Sequence, residues 1–122
     1  MTGKKLIAVV EDNPDNLLLV QAILEDYYDL FTYENGDDAL AGIRNNPPDL
    51  ILLDISLPGM DGVEVLRELR ADQSTRTIPV IALTAHAMSG DRDKYLVLGF
   101  DGYVSKPIVD ETQLLNAIES SI

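Results

Sequence analysis

Acidic, hydroxyl and basic side chains directly follow the apolar runs of this sequence. They are Glu11, Asp12, Asp54, Thr84 and Lys106. Carboxylates held close together repel one another, and a divalent cation such as Mg²⁺, which prefers oxygen ligands, removes that repulsion. A cation, an ammonium group and a hydroxyl around one carboxylate can bind the oxygens of a phosphoryl group while the carboxylate attacks its phosphorus. If the fold brings these residues together, the sequence predicts phosphoryl chemistry on a carboxylate.

Short apolar runs alternate with amphipathic segments along the whole chain. The runs cover residues 6–10, 30–33, 50–53, 80–83 and 102–104. Three of them are almost continuously apolar, as expected of strands covered on both faces. Repeated strand–helix units predict a parallel sheet with helices on both faces and right-handed crossovers. Ligands bind outside the carboxyl ends of such strands. We therefore expect the acidic, hydroxyl and basic side chains that follow the apolar runs to share one edge of the sheet.

Capping residues predict where the helices begin and end. We expect the first helix to begin after the cap Asn13 with Pro14 in its first turn, and the second to begin near Gly36 and to end before Pro47. The later boundaries are an N-cap at Asp61, a fourth helix from about Ser89 to Leu98, a C-terminal cap at Gly99 and an N-cap at Asp110.

Composition restricts the class of protein. The 122 residues fit one domain, 1–122, with no linker and no second domain. A net charge of −12 argues against direct contact with nucleic acid or with an anionic membrane. The absence of cysteine excludes disulfides and thiolate metal sites. The longest apolar run, 6–10, is too short to span a membrane, and no signal peptide precedes it, so we predict a cytoplasmic protein.

The chain resembles a receiver domain of the two-component response-regulator family in five motifs. They are Val10-Glu11-Asp12-Asn13, Leu53-Asp54, Leu57-Pro58-Gly59-Met60-Asp61-Gly62, Leu83-Thr84-Ala85 and Val104-Ser105-Lys106-Pro107. Their order and spacing match over nearly the whole chain. The resemblance implies a doubly wound α/β fold, flavodoxin-like or CheY-like, with a five-stranded parallel sheet of order 2-1-3-4-5 flanked by five helices. It implies a signalling protein and not a classical enzyme. The start at Met1 and the end just after the predicted fifth helix lead us to expect a stand-alone regulator without an output domain.

The resemblance assigns a role to each chemical side chain. Asp54 would accept the phosphoryl group, whose oxygens Thr84 and Lys106 would contact. Mg²⁺, for which Mn²⁺ could substitute, would be held by Asp54, Glu11, Asp12 and the backbone carbonyl of Ser56. Tyr103 and Thr84 would form the conformational switch. Ser56 and His86 would lie at the pocket rim and tune the access of water.

The resemblance also implies partners. A sensor histidine kinase or a histidine phosphotransferase would donate the phosphoryl group, docking on the first helix near Asn13, Pro14, Asp15 and Leu18, and on Pro107. A downstream protein would bind the surface formed by the fourth helix, fifth strand and fifth helix, with candidate output residues Met88, Lys94, Tyr95, Tyr103 and Ile108. We expect a monomer or a weak dimer.

Other classes of protein remain as alternatives. The chain could be a non-phosphorylated interaction module, or a receiver excised from a hybrid histidine kinase or phosphorelay. A haloacid-dehalogenase-type phosphohydrolase requires a second Asp two residues after the nucleophile, where this chain has Ser56. A Toprim-like nucleic-acid enzyme requires a basic surface, which the charge of −12 opposes.

Overall fold

Strands and helices alternate along the chain as the sequence predicts. The computed structural model describes residues 4–85, 91–106, 108 and 110–122, and at positions 91 and 92 only the backbone. The strands are β1 Leu6–Val10, β2 Asp29–Tyr33, β3 Leu50–Asp54, β4 Val80–Thr84 and β5 Gly102–Ser105. The helices are α1 Pro14–Leu24, α2 Gly36–Asn45, α3 Gly62–Ala71, α4 Asp91–Leu98 and α5 Glu111–Ser121. The predicted start of the fourth helix, Ser89, lies outside the described residues.

The strands form one parallel sheet of order β2-β1-β3-β4-β5, which confirms the predicted topology. Its register aligns the strand ends that carry the chemical side chains. Val10 lies opposite Leu53 on β1 and β3, and Thr84 lies opposite Ser105 on β4 and β5. The residues that follow these pairs therefore emerge at the same edge of the sheet.

The central strands are buried because helices cover both faces of the sheet. Every residue of β3 and β4 is buried, as the continuous apolar runs predict. Alternate side chains point to opposite faces. Ala8, Val10, Ile51 and Leu53 belong to the core beneath α2 and α3, whereas Ile7, Val9, Leu50 and Leu52 belong to the core beneath α1 and α5.

Side-chain caps fix where α1, α3 and α5 begin. Asn13 Oδ1 accepts hydrogen bonds from the backbone N–H groups of Asp15 at 2.9 Å and Asn16 at 3.2 Å. Asp61 Oδ1 accepts from the N–H of Glu64 at 2.9 Å, and the cap of α5 is Asp110. These caps are the predicted ones, and they place the loops after β1 and β3 next to the helix N-termini.

Gly62 allows α3 to begin against the end of β3. A Cβ atom at this position would lie 2.5 Å from the carbonyl oxygen of Asp54 and 2.8 Å from the Cα of Ile55. The N–H of Gly62 donates to the carbonyl of Ile55 at 3.0 Å. Only glycine fits this approach, so the residue type helps to set the backbone that carries Asp54.

Among the described residues, each helix is too short or too polar to span a bilayer.

Candidate functional site

Three carboxylates meet at the carboxyl ends of β1 and β3. Glu11 and Asp54 are each only 1% exposed, whereas Asp12 is exposed. One oxygen from each of the three carboxylates lies within 4.8 Å of the others. The predicted acidic cluster is therefore assembled by the fold.

Lys106 reaches both buried carboxylates from the end of β5. Its half-buried ammonium group lies 3.2 Å from Glu11 Oε1 and 3.0 Å from Asp54 Oδ2. Its backbone N–H donates to the carbonyl of Thr84 at 2.7 Å, which holds the residue beside β4. The ammonium group of Lys106 is thus paired with both buried carboxylates. Such pairing offsets the free-energy cost of burying charged groups.

The remaining carboxylate oxygens indicate room for a further cation. Asp54 Oδ1 accepts a hydrogen bond from the backbone N–H of Ser56 at 3.0 Å. Glu11 Oε2 is buried and has no hydrogen-bond partner among the described residues. A buried, unpartnered oxygen next to two other carboxylates fits an oxygen-preferring divalent ion such as Mg²⁺.

The site shifts the pKa values of its two buried carboxylates in opposite directions, lower for Asp54 and higher for Glu11. Burial, together with the neighbouring charge of Asp54, raises the pKa of Glu11 to about 7. Burial alone would also raise the pKa of Asp54, but hydrogen bonds from Glu11, the Ser56 N–H and Lys106 hold that pKa below its usual value. Burial opposes the charge of Lys106 too, but the two carboxylates outweigh it and raise its pKa. Asp54 is therefore ionised at neutral pH.

Thr84 ends β4 with its hydroxyl already engaged. The side chain is 1% exposed, and its hydroxyl lies 3.0 Å from that of Tyr95 on α4. Tyr95 is 4% exposed, so our expectation that it is an output residue on the surface is wrong. The apolar run 95–98 has several residues that could face the sheet, and its pattern did not indicate that the tyrosine does.

Tyr103 and Lys94, two of the other predicted switch and output residues, lie next to this tyrosine. Tyr103 on β5 is half-buried, and its ring centroid is 6.4 Å from that of Tyr95. Lys94 is exposed, and Ile108 is half-buried against the core.

The pocket rim and the docking face are described only in part. Ser56 is exposed in the loop after β3. The exposed residues of α1 include Pro14, Asp15 and Leu18, as a docking face requires. The predictions for His86, Met88 and Pro107 lie outside the described residues.

A doubly wound parallel sheet with three carboxylates at the carboxyl ends of its strands is the arrangement of a receiver domain. The family model of the response regulator receiver domain matches residues 7–119. The chain belongs to this family, whose members are domains of signalling proteins and not classical enzymes.

Relatives with this domain occur in two kinds of protein. The polar-differentiation response regulator DivK of Brucella anthropi is 44% identical over 105 residues, which are 85% of this chain and 85% of DivK. The sensor histidine kinase GacS of Pseudomonas protegens is 40% identical over 116 residues, which are 92% of this chain but 12% of the kinase. The chain therefore spans a small part of the kinase and most of DivK.

A solved structure of 34% identity has the same fold. It is the receiver domain of the sensor histidine kinase PA1611 from Pseudomonas aeruginosa PAO1, with a TM-score of 0.87 and coverage of 98% of both chains. That structure has a magnesium ion coordinated in its active-site cleft.

Proposed function

We propose that Asp54 accepts a phosphoryl group from a phosphohistidine of a partner protein or from a small phosphodonor. One carboxylate oxygen attacks the phosphorus and the bond between phosphorus and the donor nitrogen breaks. The leaving group, imidazole from phosphohistidine or ammonia from phosphoramidate, departs with the bonding electron pair and takes up a proton. The observation that carries the proposal is a buried, ionised Asp54 whose Oδ2 lies 3.0 Å from the Lys106 ammonium, within a cluster of three carboxylates. This arrangement stabilises charge on an incoming phosphoryl group.

The proposed cofactor is Mg²⁺, and Mn²⁺ has ligand preferences similar enough to replace it. Glu11, Asp12, Asp54 and the Ser56 carbonyl would hold the ion. When bound, it would supply positive charge to the phosphoryl oxygens and offset the repulsion among the carboxylates. The unpartnered Oε2 of Glu11 supports this assignment. So does the magnesium ion in the related PA1611 receiver.

Lys106 and Thr84 would bind the transferred group. Lys106 already lies beside Asp54, so it needs only to exchange a carboxylate oxygen for a phosphoryl oxygen. Thr84 would donate its hydroxyl hydrogen to a second oxygen, and Tyr103 would turn toward the space that Thr84 leaves. Phosphorylation would thereby shift a two-state equilibrium of the face formed by α4, β5 and α5.

The proposed partners use two different faces. A sensor histidine kinase or a histidine phosphotransferase would dock on α1, whose N-terminus adjoins Asp12. A downstream protein would bind the α4-β5-α5 face, where a groove of about 480 Å³ is lined by residues that include Leu96, Tyr103 and Ala117.

Action as a stand-alone regulator, as a monomer or weak dimer in the cytoplasm and without contact to nucleic acid, stays a prediction. The same chemistry would serve a receiver within a hybrid kinase, because GacS contains a related segment.

The test is labelling of Asp54 by phosphoramidate in the presence of Mg²⁺, read by intact-protein mass spectrometry. We expect the wild type to gain the mass of one phosphoryl group and Asp54→Asn to gain none. Asp26→Asn removes an exposed carboxylate and is the matched control, which should label like the wild type. Equal labelling of Asp54→Asn would refute the mechanism. Absence of labelling in every variant, at any Mg²⁺ concentration, would favour the non-phosphorylated interaction module.

A further inference from the structure

The hydroxyl groups of Thr84 and Tyr95 meet in the interior between β4 and α4. They lie 3.0 Å apart, and both side chains are at least 96% buried, at 1% and 4% exposure. We propose that Tyr95 is a positioning residue that holds the Thr84 hydroxyl away from the phosphoryl site until Asp54 is modified. This proposal rests on the proposed function, and it adds a residue on α4 to the control of the site.

The ring of Tyr95 is held from several sides, so its hydroxyl has a defined position. Phe100 packs edge-to-face against it with centroids 6.0 Å apart, and Tyr103 lies against it at 6.4 Å with the ring planes tilted by 36°. The Lys94 ammonium lies 5.8 Å from the ring centroid. Aromatic pairs and a nearby cation favour such fixed geometries. The hydroxyl of Tyr95 therefore cannot follow Thr84 freely.

In this proposal, movement of Thr84 toward a phosphoryl oxygen lengthens or breaks its bond to Tyr95. Hydrogen bonds in a protein interior are strong, and losing a buried partner is costly. The unphosphorylated state is thus favoured by an interaction that the phosphorylated state lacks. A ligand shifts the equilibrium only by its difference in affinity for the two states, so this interaction weakens the apparent binding of any phosphoryl-like group.

Tyr95 also contacts the second residue of the proposed switch. Because its ring lies against Tyr103, the inward turn of Tyr103 requires the two rings to rearrange. Thr84, Tyr95 and Tyr103 form one chain of contacts from the site to the α4-β5-α5 face. Release of Thr84 from Tyr95 would therefore free α4 to move together with Tyr103.

The experiment measures the dissociation constant of beryllofluoride, a mimic of the phosphoryl group, at a fixed saturating Mg²⁺ concentration. Tyr95→Phe keeps the ring contacts and removes only the hydroxyl, so we expect it to bind about fivefold more tightly than the wild type. Tyr33→Phe is the control, since it removes the hydroxyl of a partly buried tyrosine on β2 and should bind like the wild type.

A double-mutant cycle separates positioning from a general effect on structure. In a Thr84→Ala background no hydroxyl remains to be held, so Tyr95→Phe should no longer change the affinity. Urea unfolding establishes that each variant is folded. Tyr95→Leu, which also lacks the hydroxyl, should bind more tightly than the wild type as well.

Equal or weaker binding by Tyr95→Phe, or an unchanged gain in the Thr84→Ala background, would overturn the role of Tyr95 while the proposed function stands. If the wild type itself binds no beryllofluoride with Mg²⁺, the proposed function and this inference both fail.

Discussion

At the scale of single residues, the site has two buried carboxylates, Glu11 and Asp54, but, among the described residues, only one neighbouring ammonium group, that of Lys106. The two carboxylates share this lysine, and the raised pKa of Glu11, about 7, lets this residue hold a proton in part of the molecules at neutral pH while Asp54 is ionised. Were Glu11 the more acidic of the two, Asp54 would carry the proton at neutral pH. Burial raises the pKa of Glu11, whereas at Asp54 the hydrogen bonds from Glu11, the Ser56 N–H and Lys106 outweigh burial, which accounts for the direction of the difference.

The raised pKa of Glu11 predicts how the metal-free protein responds to pH. An unfolded glutamate titrates near 4.5 and the folded one near 7, so the folded state binds the extra proton in this range. The contribution of Glu11 to stability is therefore complete below pH 4.5 and is lost as the pH rises through 7. In EDTA, the wild type should lose stability relative to Glu11→Gln between these values. Urea unfolding of both proteins from pH 4.5 to 8 measures the difference, and a constant difference would contradict the prediction.

At the scale of elements, the close approach of α3 to β3 is the most demanding local feature. A side chain at position 62 would meet the carbonyl of Asp54, so Gly62→Ala should push the β3–α3 connection out of place. We expect a loss of about 2–3 kcal/mol in the free energy of unfolding, as for other overpacked positions, together with slower phosphorylation of Asp54.

Gly59 in the same loop offers the control for Gly62. Its φ of +73° makes alanine mildly unfavourable, but a Cβ there has no neighbour within 4 Å. Gly59→Ala should therefore cost only about 1 kcal/mol. Urea unfolding and phosphoramidate labelling of the two variants give the comparison, and equal losses would show that the contact with Asp54 is unimportant.

The elements were predictable because local signals mark them, whereas the side-chain contacts between elements were not. Continuous apolar runs identify buried strands such as β3, and the caps Asn13 and Asp61 set the helix starts within a residue. The parallel topology then brings Glu11, Asp54 and Lys106 to one edge. Which residue of α4 faces β4 depends on the rotation of a short helix, for which the sequence has no clear periodicity. Tyr95 was consequently assigned to the surface although it is buried.

At the scale of the whole molecule, the net charge of −12 and the acidic cluster predict a response to divalent cations. An ion that binds only the folded state stabilises it, by about 2.7 kcal/mol at a concentration 100 times its dissociation constant. Mg²⁺ at constant ionic strength should therefore raise the free energy of unfolding by an amount of this order. Urea titrations with and without Mg²⁺, balanced with NaCl, measure the gain.

Two exposed aspartates distinguish a bound ion from general screening. Asp12→Ala removes a proposed ligand and should abolish most of the gain, whereas Asp15→Ala removes a nearby charge from α1 and should retain it. A gain that survives Asp12→Ala would place the ion elsewhere or attribute it to screening.

The pairing of Glu11 with Lys106 joins residues that are 95 positions apart. During synthesis on a ribosome, Glu11 and Asp54 would both leave the exit tunnel well before the lysine that neutralises them. A nascent chain that ends before β5 could align β1 and β3 only by burying uncompensated carboxylates. The last strand is thus the one that permits the centre of the sheet to close, and the fold becomes favourable only after Lys106 has left the tunnel.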